Sequence, residues 1–371
     1  MNELEKIEQQ ILELRAKLSH LEQRRQSLLA QGDSVVASAP KEYSPDQKIA
    51  LFKSYFKGNE NCYAHRWQNN KGRSGYAVAC HNEWQQGLCN KPKIKCLECP
   101  NQAFKSLDEE ALYNHLVGQE VIGLYPMQPN NTCWLLAVDF DKSDWQLASK
   151  AYVDACQQNG IDCLLERSRS GNGAHVWIFF EQAIEAKLAR QMGFFLLDEA
   201  MKIHGALSFE SYDRLFPNQD VLPIGGIGNL IALPLQKQSR SCGNSTFVDQ
   251  SFVSFVDQWA ALVSTQRVPS VKIETLLNSY EHQEQISADS SQQAPWERSL
   301  PTRIVIEDCP NVLQVVIANR LYISLSSLPN PLIAQLKKIA SFSNPKFFKA
   351  QGLRLSTNGI ARFICLAEID S

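Results

Sequence analysis

Apolar residues near the start of the chain keep a strict spacing. Leu4, Ile7, Ile11, Leu14, Leu18, Leu21 and Leu28 follow one another at alternating steps of three and four, with Arg25 as the one break. Glu, Gln, Lys and Arg fill the positions between them, which predicts a coiled-coil helix over residues 1–30. Its seam, 4–28, pairs with a second copy or with a partner helix. Residues 31–46 are small and polar and are expected to form a linker. A mixed segment then runs from 47 to 120. From 121 to 265, short β-type runs (121–125, 133–140, 163–166, 174–180 and 229–235) alternate with helical patterns at 145–159 and 185–204. This alternation predicts an α+β core. The span 266–300, polar above all from 281 to 296, is expected to be a second linker. Residues 301–371 regain apolar runs and predict a small C-terminal α/β module.

Composition changes this picture little. The hydrophobic share of 44% suits a chain that buries a substantial core. No apolar run approaches the roughly 18 residues of a transmembrane helix, and the charged N-terminus does not read as a signal peptide. A cytoplasmic protein with no membrane association is expected. The net charge of −2 gives no global attraction to nucleic acid. Local charge does: Lys91, Lys93 and Lys95 alternate, with Arg66, Lys71 and Arg73 shortly before.

Four of the eleven cysteines fall close together. Cys80, Cys89, Cys96 and Cys99 lie within CHNEWQQGLCNKPKIKCLECP, and the Cys-x-x-Cys pair lets two thiolates reach one ion from a tight turn. The set predicts a structural Zn²⁺ site with no open position. His81 is an alternative to one thiolate. Lysines within the cluster suggest contact with a phosphate backbone.

The richest chemistry follows. In TCWLLAVDFDKSDW an apolar strand ends in Asp139-Phe140-Asp141, and residues two apart on a strand share a face. Two carboxylates so held repel unless a cation lies between them, and Mg²⁺ or Mn²⁺ suits such oxygen donors. Next comes SRSGNGAHVWIFF, a polar turn feeding another apolar strand. Gly171 and Gly173 permit close backbone approach to an anion, Arg167 and Arg169 bring positive charge, and His175 opens the strand. Ser170 and Asn172 complete a candidate nucleotide-binding turn that lacks the P-loop pattern. Further on, Asp213 and Asp220 each offer a third carboxylate for a site with two metals.

These motifs, in this order, resemble those of archaeo-eukaryotic primases, or primase-polymerases. Asp139 and Asp141 resemble the first motif, Ser170 through His175 the second, and Asp213 the third. The wording VDFDK, ERSRSGNGAHVWIFF, SYDRLFPNQD and GNLIALPLQ is similar to the primase domain of TOTE conflict systems. The resemblance implies a primase fold with an RRM-like catalytic sheet. Residues 47–120 would form its N-terminal part, 121–265 its catalytic core, and 301–371 the segment that precedes a helicase in longer relatives. It also implies template-directed nucleotidyl transfer from an NTP or dNTP to a 3′-hydroxyl, with release of pyrophosphate. Asp139, Asp141 and Asp213 would hold two catalytic Mg²⁺ or Mn²⁺ ions. Arg167, Arg169, Ser170, Asn172, Gly173 and His175 would bind the nucleotide. The implied partners are a single-stranded or primed DNA template, or an RNA one, and a helicase, since such primases are commonly fused to one of superfamily 2. Two other readings use the same residues: a two-metal nuclease, and a non-catalytic nucleic-acid adaptor built on the zinc module and the coiled coil.

Overall fold

The chain divides into two compact units, Met1–Ser44 and Pro45–Ser371. The computed structural model describes residues 42–204, 207, 214–285, 315–317, 321–323, 328–343 and 363–365. The predicted coiled coil, most of the first linker and Asp213 lie outside these residues.

At the centre of the second unit is a five-stranded antiparallel sheet. It contains β4 (Thr132–Phe140), β5 (Leu164–Arg167), β6 (Ala174–Glu185), β7 (Arg214–Phe216) and β9 (Thr246–Phe247), in the order β7-β4-β6-β5-β9. Helix α3 (Trp145–Gln158) joins β4 to β5, α4 (Ala186–Ile203) follows β6, and the short helices α5 (Lys237–Ser241) and α6 (Gln258–Ser264) flank β9. The run strand–helix–strand–strand–helix–strand is the ferredoxin-like unit expected of an RRM-like sheet.

Both faces of the sheet are covered, which explains why the central strands read as nearly unbroken apolar runs. One face carries Leu136, Val138, Val176 and Ile178 into a cluster with α3 and α4. Ala148, Ala151, Tyr152, Ala155 and Cys156 form the buried stripe of α3, at helical spacing. The opposite face carries Leu135, Ala137, Trp177 and Phe179 against α1 (Pro45–Tyr55) and α2 (Glu109–Val117). There Phe56 meets the rings of Trp177 and Phe179 edge-on, at centroid distances of 5.0 and 5.3 Å.

A second antiparallel sheet runs β2-β1-β3-β8, from β1 (Ala64–Gln68), β2 (Ser74–Val78), β3 (Ile122–Leu124) and β8 (Ile231–Ala232). The expected strand at 229–235 shrinks to two residues here. The Asn229 side chain is drawn into the neighbouring loop, where it donates to the Leu215 carbonyl and accepts from the Asn218 amide.

Two predicted boundaries move. Within the span read as a linker, α7 (Ser270–Gln285) is a helix, and its Ile273 and Leu277 enter the same core as α3 and α4. In the C-terminal segment, α8 (Asn330–Ala340) sets Ala334 into that core, and Asn330 donates to the Ile203 carbonyl at the end of α4. The described helix of this segment therefore packs on the helical side of the five-stranded sheet. The pairs β10 (Val315–Ile317) with β11 (Leu321–Ile323), and β12 (Ser341–Ser343) with β13 (Phe363–Cys365), form two small two-stranded antiparallel sheets.

His115 ties α2 to the second sheet. Its Nε2 donates to the Pro234 carbonyl at 2.9 Å, and its Nδ1 accepts from the Ile122 amide at 3.1 Å. Burial disfavours the charged ring and lowers its pKa from 6.5 to about 4, against the pull of the carbonyl. Unfolding lets the ring take up a proton, so the unfolded chain binds more protons between those two values. Stability is expected to fall as pH drops through that window, by on the order of 3 kcal/mol in full. Urea unfolding at stepped pH checks this: His115→Gln should flatten the slope, and an unchanged slope would assign the acid sensitivity elsewhere.

Candidate active site

Strand register builds the site. Asp139 pairs with Arg214 on one side and with His175 on the other, and His175 pairs in turn with Glu166. Residues directly opposite in a ladder point to the same face. Arg214, Asp139, His175 and Glu166 thus form one row across four strands, on the face that carries Ala137 and Trp177. Asp141 follows two residues after Asp139, just past the end of β4, with Oδ1 3.2 Å from the Lys142 ammonium.

Asp139, Asp141, His175 and Arg214 line a cleft of about 1310 Å³, which β1, β2 and the cysteine-bearing segment also line. Arg214 was not anticipated from the sequence, because only the pairing of β7 with β4 brings it beside Asp139.

Glu166 was not anticipated either. It is 1% exposed, and a carboxylate so buried must be paired. Oε2 accepts from His175 Nδ1 at 2.9 Å and from Trp177 Nε1 at 2.8 Å, while the Ser245 hydroxyl donates to Oε1 at 3.4 Å. The other ring nitrogen of His175, Nε2, lies 3.5 Å from Asp139 Oδ1. Desolvation opposes a charge on the ring, but Glu166, and then Asp139 and Asp141, outweigh it and raise the pKa to about 9. These carboxylates favour the protonated ring, and Glu166 at Nδ1 leaves Nε2 facing Asp139.

The turn after β5 approaches the carboxylates closely. A Cβ on Gly173 would lie 2.7 Å from the Phe140 carbonyl oxygen, so glycine is required for the turn to sit beside the strand that carries Asp139 and Asp141. The turn holds its own shape. The Ser168 amide donates to the Gly173 carbonyl, the Gly171 amide to the Ser168 carbonyl, and the Asn172 amide to the Ser170 hydroxyl. Ser170 and Asn172 are its exposed side chains, and neither lines the cleft. Arg169 lies near the hydroxyl of Tyr76, which lines the cleft.

Arg167 stands apart from the predicted nucleotide-binding set. It occupies the strand position that alternates with Glu166, and its Nη2 donates to the Phe252 carbonyl at 2.8 Å. Its guanidinium fastens a loop on the opposite face of the sheet. Asp220 forms an ion pair with Arg190 of α4, the helix that covers that opposite face.

In the cysteine-bearing segment, Cys80, Cys89, Cys96 and Cys99 line one cavity of about 20 Å³. That is room for roughly one water-sized particle. His81 is exposed and does not line it. Lys91 bridges to Glu83 at 2.7 Å and lies near the Cys96 sulfur. Among the described residues no three His, Cys, Asp or Glu side chains are drawn together tightly enough to hold a metal ion. None of the described helices is long and apolar enough to cross a membrane.

A comparison with curated proteins returns no match. The sequence does match the family described as the TOTE conflict system archaeo-eukaryotic primase domain, over residues 47–276. That span covers more than half of the chain and contains the five-stranded and four-stranded sheets, the cleft and every residue of the row, and the protein belongs to this primase family.

Proposed function

We propose that this protein is a primase-polymerase, joining nucleotides from an NTP or dNTP to a 3′-hydroxyl on a nucleic-acid template with release of pyrophosphate. The observation that carries the reading is the row Asp139–His175–Glu166 at the cleft, with Asp141 beside it, in a member of a primase family.

The donors fit divalent cations: Asp139 and Asp141 offer only oxygen, border an open cleft, and leave room for phosphate oxygens. These two residues, with Asp213 as the expected third, would hold Mg²⁺ or Mn²⁺. Bound there, the ions would supply charge neutralisation at the triphosphate and a more acidic attacking hydroxyl. The chain's own groups do the positioning. Glu166 fixes the His175 ring through Nδ1, which leaves Nε2 to donate toward Asp139 or a phosphate oxygen. Ser170, Asn172 and Arg169 add donors near the turn. Fixed donors of this kind, with little covalent chemistry, are what phosphoryl transfer requires.

The test supplies a primed template, labelled nucleotides and Mg²⁺ or Mn²⁺, and follows both products. Pyrophosphate release matched to strand extension is expected. Shortening of the input strand without pyrophosphate would point to a two-metal nuclease instead.

We also propose that Cys80, Cys89, Cys96 and Cys99 bind one structural zinc ion. The reading is supported by the donor set, a Cys-x-x-Cys pair and two further cysteines that line the same small cavity. The Lys91 ammonium beside Cys96 offsets the negative charge of such a centre. Purified protein is expected to hold about one zinc per chain, and Cys96→Ser to lose it with a lowered melting temperature. Folded, active protein free of zinc in elemental analysis would contradict this assignment.

A further inference from the structure

Beyond the carboxylates, the cleft has a second chemical character. At about 1310 Å³ it exceeds the roughly 300–1,000 Å³ typical of a small-molecule site. A nucleoside triphosphate held at Asp139, Asp141 and His175 would leave much of it vacant. Two tryptophans line the remainder, Trp67 on β1 and Trp84 on the cysteine-bearing segment, and they are 43% and 69% exposed.

Neither ring is arranged to serve the core. Trp67 lies flat on its neighbouring strand: a Cβ on Gly75, its partner in the ladder, would come within 3.0 Å of the indole. One ring face is therefore backed by backbone while the side chain remains open to the cleft. Trp84 has a φ of 61°, the left-handed region that bulky residues rarely occupy. Such backbone strain persists where surrounding structure imposes it, and it concentrates at ligand sites. Lys91, itself anchored by Glu83, sits 5.8 Å from the centre of the Trp84 ring. Lys95 also lines the cleft and is largely exposed, loosely paired with Glu98 at 3.9 Å. Arg73 and Lys71 lie exposed at the β1–β2 turn.

We propose that Trp67 and Trp84 form a stacking platform for the bases of an unpaired nucleic-acid strand, which carries the template to the carboxylates. This rests on the primase reading of the site and names the wall that holds the second substrate. Aromatic faces bordered by cations recognise stacked bases and backbone phosphates together. A duplex hides its base faces within its own stack, so an unpaired strand is the occupant that suits two open rings. Every base has such a face, and the platform accepts any sequence.

Anisotropy titration of a labelled oligothymidylate tests this. Trp67→Ala and Trp84→Ala are each expected to weaken binding about tenfold, at about 1–3 kcal/mol per stacked base, and the double variant more. Phe at both positions should recover most of the affinity, which separates stacking from a folding defect. The same strand annealed to its complement should bind with little dependence on either ring. Wild-type affinity in the double Ala variant overturns the platform, and so does a Phe variant as weak as the Ala one. Nucleotide joining is measured in parallel. If wild type joins nucleotides and the double Ala variant binds strands normally, the platform alone fails. If strand binding depends on the rings while no nucleotide is joined, the catalytic reading alone fails.

Discussion

Replacing Asp139 and Asp141 together by asparagine is expected to abolish nucleotide joining, by about 10³-fold or more, and to leave the fold intact. Removing one preorganised electrostatic group from an active site commonly costs 10²–10³-fold, and this pair would supply the anionic donors for both cations. Asparagine keeps the volume and loses the charge. Both side chains border the cleft rather than the core, and without bound metal the two carboxylates repel. The loss of that repulsion offsets the loss of the contacts with His175 and Lys142, so the melting temperature should change little while activity vanishes. Asp220→Asn is expected to behave differently. Its partner is Arg190, in a half-exposed ion pair away from the row, and such pairs contribute about 1 kcal/mol or less. Near-normal joining by the double variant, measured by labelled-nucleotide incorporation, would remove these carboxylates from the mechanism.

Glu166 carries the second large effect. It touches no substrate in this account and acts through His175, so it is a positioning residue. Glu166→Gln keeps an oxygen that can accept from Trp177 or from His175 and removes the charge that stabilises the imidazolium. Outer partners of this kind typically matter by 10–100-fold. The loss is expected to appear chiefly as a raised KM for the triphosphate, with the melting temperature little changed. Glu166→Ala should lower stability as well, because the Trp177 indole N–H is then buried without its acceptor. A Gln variant with unaltered KM and kcat would show that Glu166 serves the fold alone.

The difference between what the sequence disclosed and what it hid follows from the range of each signal. Asp139 and Asp141 were legible because the period of a strand is local and five apolar residues lead into them. The glycine of the turn was legible too, although its reason, the Phe140 carbonyl 2.7 Å from a would-be Cβ, is tertiary. Glu166 and Arg214 join the row only through pairing with β6 and β4, a register that no local window contains. The same holds for Trp67 and Trp84. Nothing near them in sequence predicts that two aromatic side chains will stand open to one cleft. Helix α7 was read as linker because its sequence is largely polar, and Ile273 and Leu277 enter the core only through tertiary packing. Arg167 illustrates the reverse case. Its neighbours suggested a phosphate ligand, and the alternation of β5 turned it to the other face.

The central claim is template-directed joining at the Asp139–Asp141 pair. The most direct test offers the intact protein a primed template with one labelled nucleotide at a time, in Mn²⁺, beside the Asp139→Asn, Asp141→Asn double variant. The account predicts incorporation by wild type only of the nucleotide complementary to the next template base, with one pyrophosphate for each, and none by the variant. Incorporation that ignores the template base, or that survives in the variant, would contradict it.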